Sequence, residues 1–239
     1  MLNGKKFIGI IPARAGSKGF PGKNIKNLSG KPLVVWSIEQ ALKSKYLDRV
    51  FVSTDGNDIA DIAKNAGINI PFLRPAEIAN DTSPTSEAVL HTLDVFEQSG
   101  EVFDYIVLLE PTSPLRKKND IDDAIERIVQ HSDAECLVSV GEVHMEHPQI
   151  VKTIIGGYVS PYLNKDINIY QRQQADKVYF PYGVIYISMV SAFKATRTFY
   201  TSKTIPYPIE RWQNYEIDDG IDFMIVETIL QKYKEQIYG

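Results

Sequence analysis

Through the first 140 residues, short apolar runs alternate with longer stretches whose apolar residues recur every three or four positions. The runs are 7–11, 49–53, 105–109 and 134–140. Between them, Pro32 precedes Leu33, Val34, Ile38, Ala41 and Leu42, a helical face opened by a good first-turn residue. A second helix covers 57–66, with Ile59, Ile62, Ala63 and Ala66 inward and Gly67 at its end. A third begins at Ser83-Pro84 and carries Val89, Leu90, Leu93 and Phe96; a fourth covers 119–130 with Ile121, Ala124, Ile125 and Ile128. Strands alternating with helices of roughly this length predict right-handed βαβ units and a mostly parallel α/β sheet covered on both faces. Ligands bind such sheets at the carboxyl ends of the strands. That rule gathers 14–23, 53–55 and 110–116, the most unusual loops of the chain, on one rim.

The first of these loops follows a buried strand directly. It contains Gly16, Gly19 and Gly22, with Arg14, Lys18 and Lys23 between and around them. Glycines let a phosphate approach the main chain where a Cβ would block it. Residues 1–38 hold seven Lys/Arg and no Asp or Glu, although the whole chain carries −4. This stretch reads as a polyphosphate cradle. It is neither a P-loop, since Lys23 is followed by Asn24, nor a dinucleotide fingerprint, since its glycines are evenly spaced. The negative balance argues against a nucleic-acid partner. The lone Cys136 fits a reducing compartment, and the N-terminus has too few apolar residues for a signal peptide. No apolar run reaches the length of a membrane span. A cytoplasmic protein is expected, with 1–239 as one domain.

Beyond residue 140 the rhythm changes. Residues 150–155, Gly156-Gly157 and 158–163 read as a hairpin with a positive-φ turn, inside an insertion spanning 144–181. A hairpin this small cannot bury its own face, and a second copy of the chain is the expected cover. Residues 182–189 return as a strand and 190–196 as a short helix. A last helix follows 216–222, with Ile221, Met224, Ile225, Thr228 and Ile229 facing inward. Glu216 and Asp218 fall on one face if their segment is extended, a pair suited to a divalent cation, whereas Asp218 or Asp219 could equally cap the helix. Asp55 is a weaker metal candidate or a helix cap.

The run 11–24, Ile-Pro-Ala-Arg-Ala-Gly-Ser-Lys-Gly-Phe-Pro-Gly-Lys-Asn, resembles the opening motif of the acylneuraminate cytidylyltransferases, the CMP-sialic acid synthetase family. Residues 74–81, 109–116, 170–174 and 216–218 are similar to its later motifs. The resemblance implies a Rossmann-like, three-layer nucleotidyltransferase fold with an inserted dimerisation arm. It also implies a homodimer, Mg²⁺ as cofactor, and CTP and a nine-carbon 2-keto sugar acid as substrates. On that basis the backbone of Ala13, Ala15, Gly16 and Ser17, with Arg14, Lys18 and Lys23, holds the triphosphate. Lys18 would stabilise the departing pyrophosphate, and Arg14, Lys18 and Asp218 form the catalytic set. Glu216 and Asp218 ligate the metal; Asn24, Arg74 and Thr85 read the base. Glu110, Tyr186 and Phe199 contact the sugar, joined across the dimer by Arg172 and Gln173. Arg116 reads as a structural ion-pair residue. The chain departs from the family at Ala15, where Gly is usual, at Glu110, where Gln is usual, and at Glu216, where Asp is commoner. The acidic Glu110 adds an acceptor and a charge and suits a legionaminic-type sugar bearing an amide donor. Rival readings are a cytidylyltransferase for the eight-carbon acid Kdo and a non-catalytic CTP-binding regulator on the same fold.

Overall fold

A computed structural model describes residues 1–16, 19–163 and 176–238; Ser17, Lys18, Arg172 and Gln173 lie outside the described residues. β1 (Phe7–Pro12) shows why its sequence is apolar throughout. Phe7 and Ile11 enter one core and Ile8 and Ile10 the other, the period-two arrangement of a strand covered on both faces. A two-residue ladder of β2 (Asn27–Leu28) and β3 (Lys31–Pro32) leads into α1 (Leu33–Leu42). Then come β4 (Leu47–Ser53), α2 (Asn57–Asn65), α3 (Thr85–Gln98), β5 (Tyr105–Leu108), α4 (Asp120–Gln130) and β6 (Cys136–Glu142), each within two or three residues of its expected place. The hairpin of β7 (Lys152–Ile155) and β8 (Tyr158–Pro161) turns through Gly156 and Gly157 at φ 59° and 86°, as the Gly-Gly pair requires. β9 (Tyr179–Met189), α5 (Val190–Thr196), β10 (Thr204–Pro208), α6 (Gly220–Lys232) and α7 (Lys234–Tyr238) complete the order.

The main sheet runs β10-β6-β9-β5-β1-β4. Five strands are parallel, and β9 lies antiparallel between β5 and β6. α1, α2 and α4 cover one face, while α3 and α5 cover the other. On that second face Phe51 is fully buried, with Phe72 and Phe96 at ring distances of 4.5 and 5.4 Å. Burial of one such side chain contributes about 1.5–3 kcal/mol.

Two expectations fail on facing. Leu42, at the last turn of α1, is 48% exposed. In α6, Ile221 and Met224 are 64% and 61% exposed, and Ile225 and Thr228 also face solvent. Val226 and Leu230 are buried instead, with Phe223 and Ile229 beside them, against Leu28, Leu33, Leu115 and Trp212. The helix carries two apolar stripes, so its period could not choose between them; docking on α1 and the 109–116 loop does.

β10 has no counterpart in the sequence reading, because Pro206 and Pro208 interrupt it. It is an edge strand pairing only with β6. Ile209 N–H donates to Val140 O, so the odd residues face β6 and both prolines point their missing donors outward.

Candidate active site

The parallel strands deliver their following loops to one rim, as expected. Pro12, Arg14, Gly19, Lys23 and Asn24 from the first loop meet Arg74, Thr85, Glu110 and Asp218 around a cavity of about 580 Å³. The first loop is held open by backbone contacts. Ala13 N–H donates to Ser53 O (2.9 Å), and Ala15 N–H donates to Asp55 Oδ1 (2.9 Å). Asp55 therefore does not cap α2, whose N-cap is Gly56, but ties down the first loop through Oδ1. Asn24 is buried and donates from Nδ2 to Arg14 O (3.0 Å), tying the end of the loop to its start. Arg74 is also buried, with Nε on Ser53 Oγ (3.1 Å) and Nη2 on Ser53 O (2.6 Å); burial pushes its pKa down.

Two cations of the cavity face carboxylates. Arg14 Nη1 lies 2.6 Å from Asp81 Oδ1. Lys23 Nζ donates to Ile217 O (2.9 Å) and to Asp218 Oδ1 (3.1 Å). Asp218 is 82% exposed on its side chain, and the N-cap of α6 is its neighbour Asp219, whose Oδ1 accepts from Ile221 and Asp222 N–H. Capping therefore leaves the Asp218 carboxylate to the cavity. Glu216, two residues earlier, turns inward, accepting from Ser113 Oγ (2.8 Å) and from Gly183 N–H.

Glu110 stands where this cavity meets a second one of about 240 Å³, which it borders with Thr85, Tyr186, Phe199 and Tyr200. Its carboxyl group is enclosed on the β9 side by Gly183. A Cβ there would lie 2.3 Å from Glu110 Oε2 and 2.8 Å from Ser113 Oγ, so only glycine allows this approach. Burial first, and the neighbouring Glu216 second, raise the Glu110 pKa from 4.5 to about 7. Near neutral pH Glu110 therefore holds a proton more readily than an ordinary glutamate, and in that form it can donate as well as accept. Tyr186 is likewise raised, by burial and then by Glu110, and its ring lies 5.7 Å from that of Phe199.

Arg116 is fully buried below the rim. Its guanidinium donates to Glu110 O (2.8 Å), Gly183 O (3.1 Å), Ser37 Oγ (2.9 Å) and Val184 O, so its role is structural but runs through neutral acceptors rather than an ion pair. Burial lowers its pKa to about 10. Among the expected site residues, the two cavities bring together Arg14, Lys23, Asn24, Arg74, Thr85, Glu110, Tyr186, Phe199 and Asp218. Glu216 touches the wall residues Ser113 and Gly183, while Ala13 is wholly buried beneath the loop. The sequence reading missed Phe20, Ser83 and Thr112 in the first cavity, and Arg197 and Thr198 in the second. Phe20 sat inside the quoted motif; nothing local marked Arg197.

A three-layer sheet with an anion-ready loop, a buried arginine and acids at the strand ends defines a nucleotide-handling α/β enzyme. Comparison with known proteins narrows this. The profile of the family described as Cytidylyltransferase matches residues 8–235, and the chain belongs to that family. It is 34% identical to the CMP-N,N'-diacetyllegionaminic acid synthase of Legionella pneumophila, over 97% of this chain and 99% of that one. It is 32% identical to the N-acylneuraminate cytidylyltransferase of Escherichia coli O18:K1:H7, over 97% of this chain but 54% of that protein, so it spans about half the length of that relative. A CMP:2-keto-3-deoxy-manno-octonic acid synthetase complexed with CTP shares the fold, with a TM-score of 0.68 at 16% identity, over 95% of this chain and 99% of that one.

Proposed function

We propose that this cytidylyltransferase couples CTP to a nine-carbon 2-keto sugar acid of the sialic or legionaminic type, releasing pyrophosphate. The observation that carries the reading is the pair of cavities joined at Glu110: one lined by Arg14, Lys23 and Arg74 and fed by the glycine loop, the other aromatic. A triphosphate in the first would exchange the Arg14–Asp81 and Lys23–Asp218 contacts for phosphate oxygens. A sugar in the second would present its anomeric hydroxyl at the junction, in line with the leaving pyrophosphate. Attack at the α-phosphorus forms the new P–O bond as the bond to the bridging oxygen breaks; the hydroxyl proton leaves to solvent or to a nearby carboxylate. Lys23, together with Lys18 beyond the described residues, balances the charge on the leaving group.

Mg²⁺ fits the donor set, because such an ion takes one or two carboxylates and fills its shell with phosphate oxygens and water. Asp218 would hold it; Glu216 already accepts two donors and is the weaker ligand. When bound, the ion would draw charge from the phosphates. The homodimer is part of the same proposal. Ile154, Ile155, Tyr158 and Val159 of the hairpin are each at least 65% exposed, an apolar surface that a second copy would cover. Among the described residues no helix is long and apolar enough to cross a membrane, and we place the protein in the cytoplasm, beside its CTP.

The test is pyrophosphate release with Mg²⁺ and CTP against N-acetylneuraminate, N,N'-diacetyllegionaminate, pseudaminate and Kdo. Turnover of a nine-carbon acid that disappears in Lys18→Ala is expected. Turnover of Kdo alone, or CTP binding with no turnover of any sugar, would overturn the reading.

A further inference from the structure

We infer that Arg197 is a specificity-determining residue that grips the end of the sugar acid remote from its anomeric carbon. The inference rests on the second cavity being the sugar site. Arg197 follows the last residue of α5 and adopts φ 55° and ψ 27°, its N–H donating to Phe193 O (2.7 Å). This left-handed position is one that glycine or asparagine takes readily and that strains a long side chain. Besides glycines, only Asn3 and Ser29 share positive φ among the described residues, and both are short polar residues. The turn is pinned: Phe193 and Phe199, on either side of it, pack at 4.8 Å in the core. A strained long cation on a rigid turn is the pattern of a functional position.

Its surroundings say which function. Arg197 lines the aromatic cavity together with Glu110, and its guanidinium has no hydrogen bond or ion pair to any other described residue. The anomeric hydroxyl must reach the α-phosphate in the first cavity, so that end of the sugar sits at the Glu110 junction. The sugar carboxylate, on the carbon next to the anomeric one, stays there too. The remainder of the second cavity, where Arg197 and Thr198 lie, is left for the exocyclic tail, whose hydroxyl and acylamino oxygens are what distinguish these acids. A guanidinium offers five N–H donors in a fixed plane and suits a carbonyl oxygen flanked by a hydroxyl.

The experiment measures kcat and KM for each nine-carbon acid with wild type, Arg197→Gly and Arg197→Lys. Glycine relieves the backbone strain, so the variant should fold with an unchanged or higher Tm. Expected are a rise of about tenfold or more in KM for the preferred sugar, unchanged KM for CTP, kcat within about twofold, and a collapse of the preference between diacetyllegionaminate and N-acetylneuraminate. Lysine should recover only part of the preference. Unchanged sugar KM overturns the inference, as does an equal rise for every sugar, which would make Arg197 a carboxylate ligand. A wild type inert toward all the nine-carbon acids removes the sugar-site reading itself, and with it this inference.

Discussion

Among the described residues Arg116 is the largest side chain entirely removed from solvent, and three of its hydrogen bonds hold the carbonyls of Glu110, Gly183 and Val184 below the site. Arg116→Ala takes a charged donor from each of those carbonyls, at about 1–3 kcal/mol each, and should unfold the protein well below the wild-type midpoint in a urea titration. Arg116→Lys should rescue little, since one ammonium cannot reach three carbonyls in a fork. A loss under 1 kcal/mol would contradict this account. Glu110 behaves in the opposite sense. Its pKa is about 7 folded against 4.5 as the ordinary value, so between those pH values the folded state holds the extra proton. Stability from this group is therefore greatest below pH 4.5, falls as pH rises, and is fully lost above pH 7, a difference of about 3 kcal/mol. Glu110→Gln should lift Tm more at pH 8 than at pH 5. A gain independent of pH would mean that Glu110 ionises normally.

At the scale of elements, the hairpin and α6 pose the same question: which apolar surface has a cover. Ile154 pairs with Val159 across the hairpin on one face, and Ile155 pairs with Tyr158 on the other. A double substitution, Ile154→Asp with Val159→Asp, should shift the protein from dimer to monomer in light scattering, with circular dichroism of the main body unchanged. A dimer that survives both charges would place the interface elsewhere. In α6 the chain offers two apolar stripes, and only the one against α1 finds partners in the fold. Local periodicity reads a helix well and its orientation poorly when both faces are greasy. The unrecognised β10 is the converse case: prolines forbid a central strand and suit an edge, and the position of a strand in a sheet is not a local property.

For the whole molecule, CTP bound as proposed would link the loop of β1 to the segment before α6. Ligand at 100 times its Kd stabilises by about 2.7 kcal/mol, which for a chain of this length is a Tm rise of about 5–10 °C. Thermal melts with CTP and Mg²⁺ should show that rise, and Lys23→Ala should abolish most of it. An equal rise in the variant would put the triphosphate in another place. The alternation of strands and helices, the Gly-Gly turn and the basic glycine loop were all legible in the sequence, because each depends on neighbours a few residues apart: side-chain period, allowed φ and local charge. Gathering three loops on one rim was legible too, because parallel strands connected by helices leave little choice. The antiparallel course of β9, the stripe of α6 that is buried, the proton on Glu110 and the presence of Arg197 in the aromatic cavity were decided only by the tertiary structure. Each depends on what distant segments bring against it: β9 supplies Gly183, the 216 segment a second carboxylate, and α1 a floor for α6.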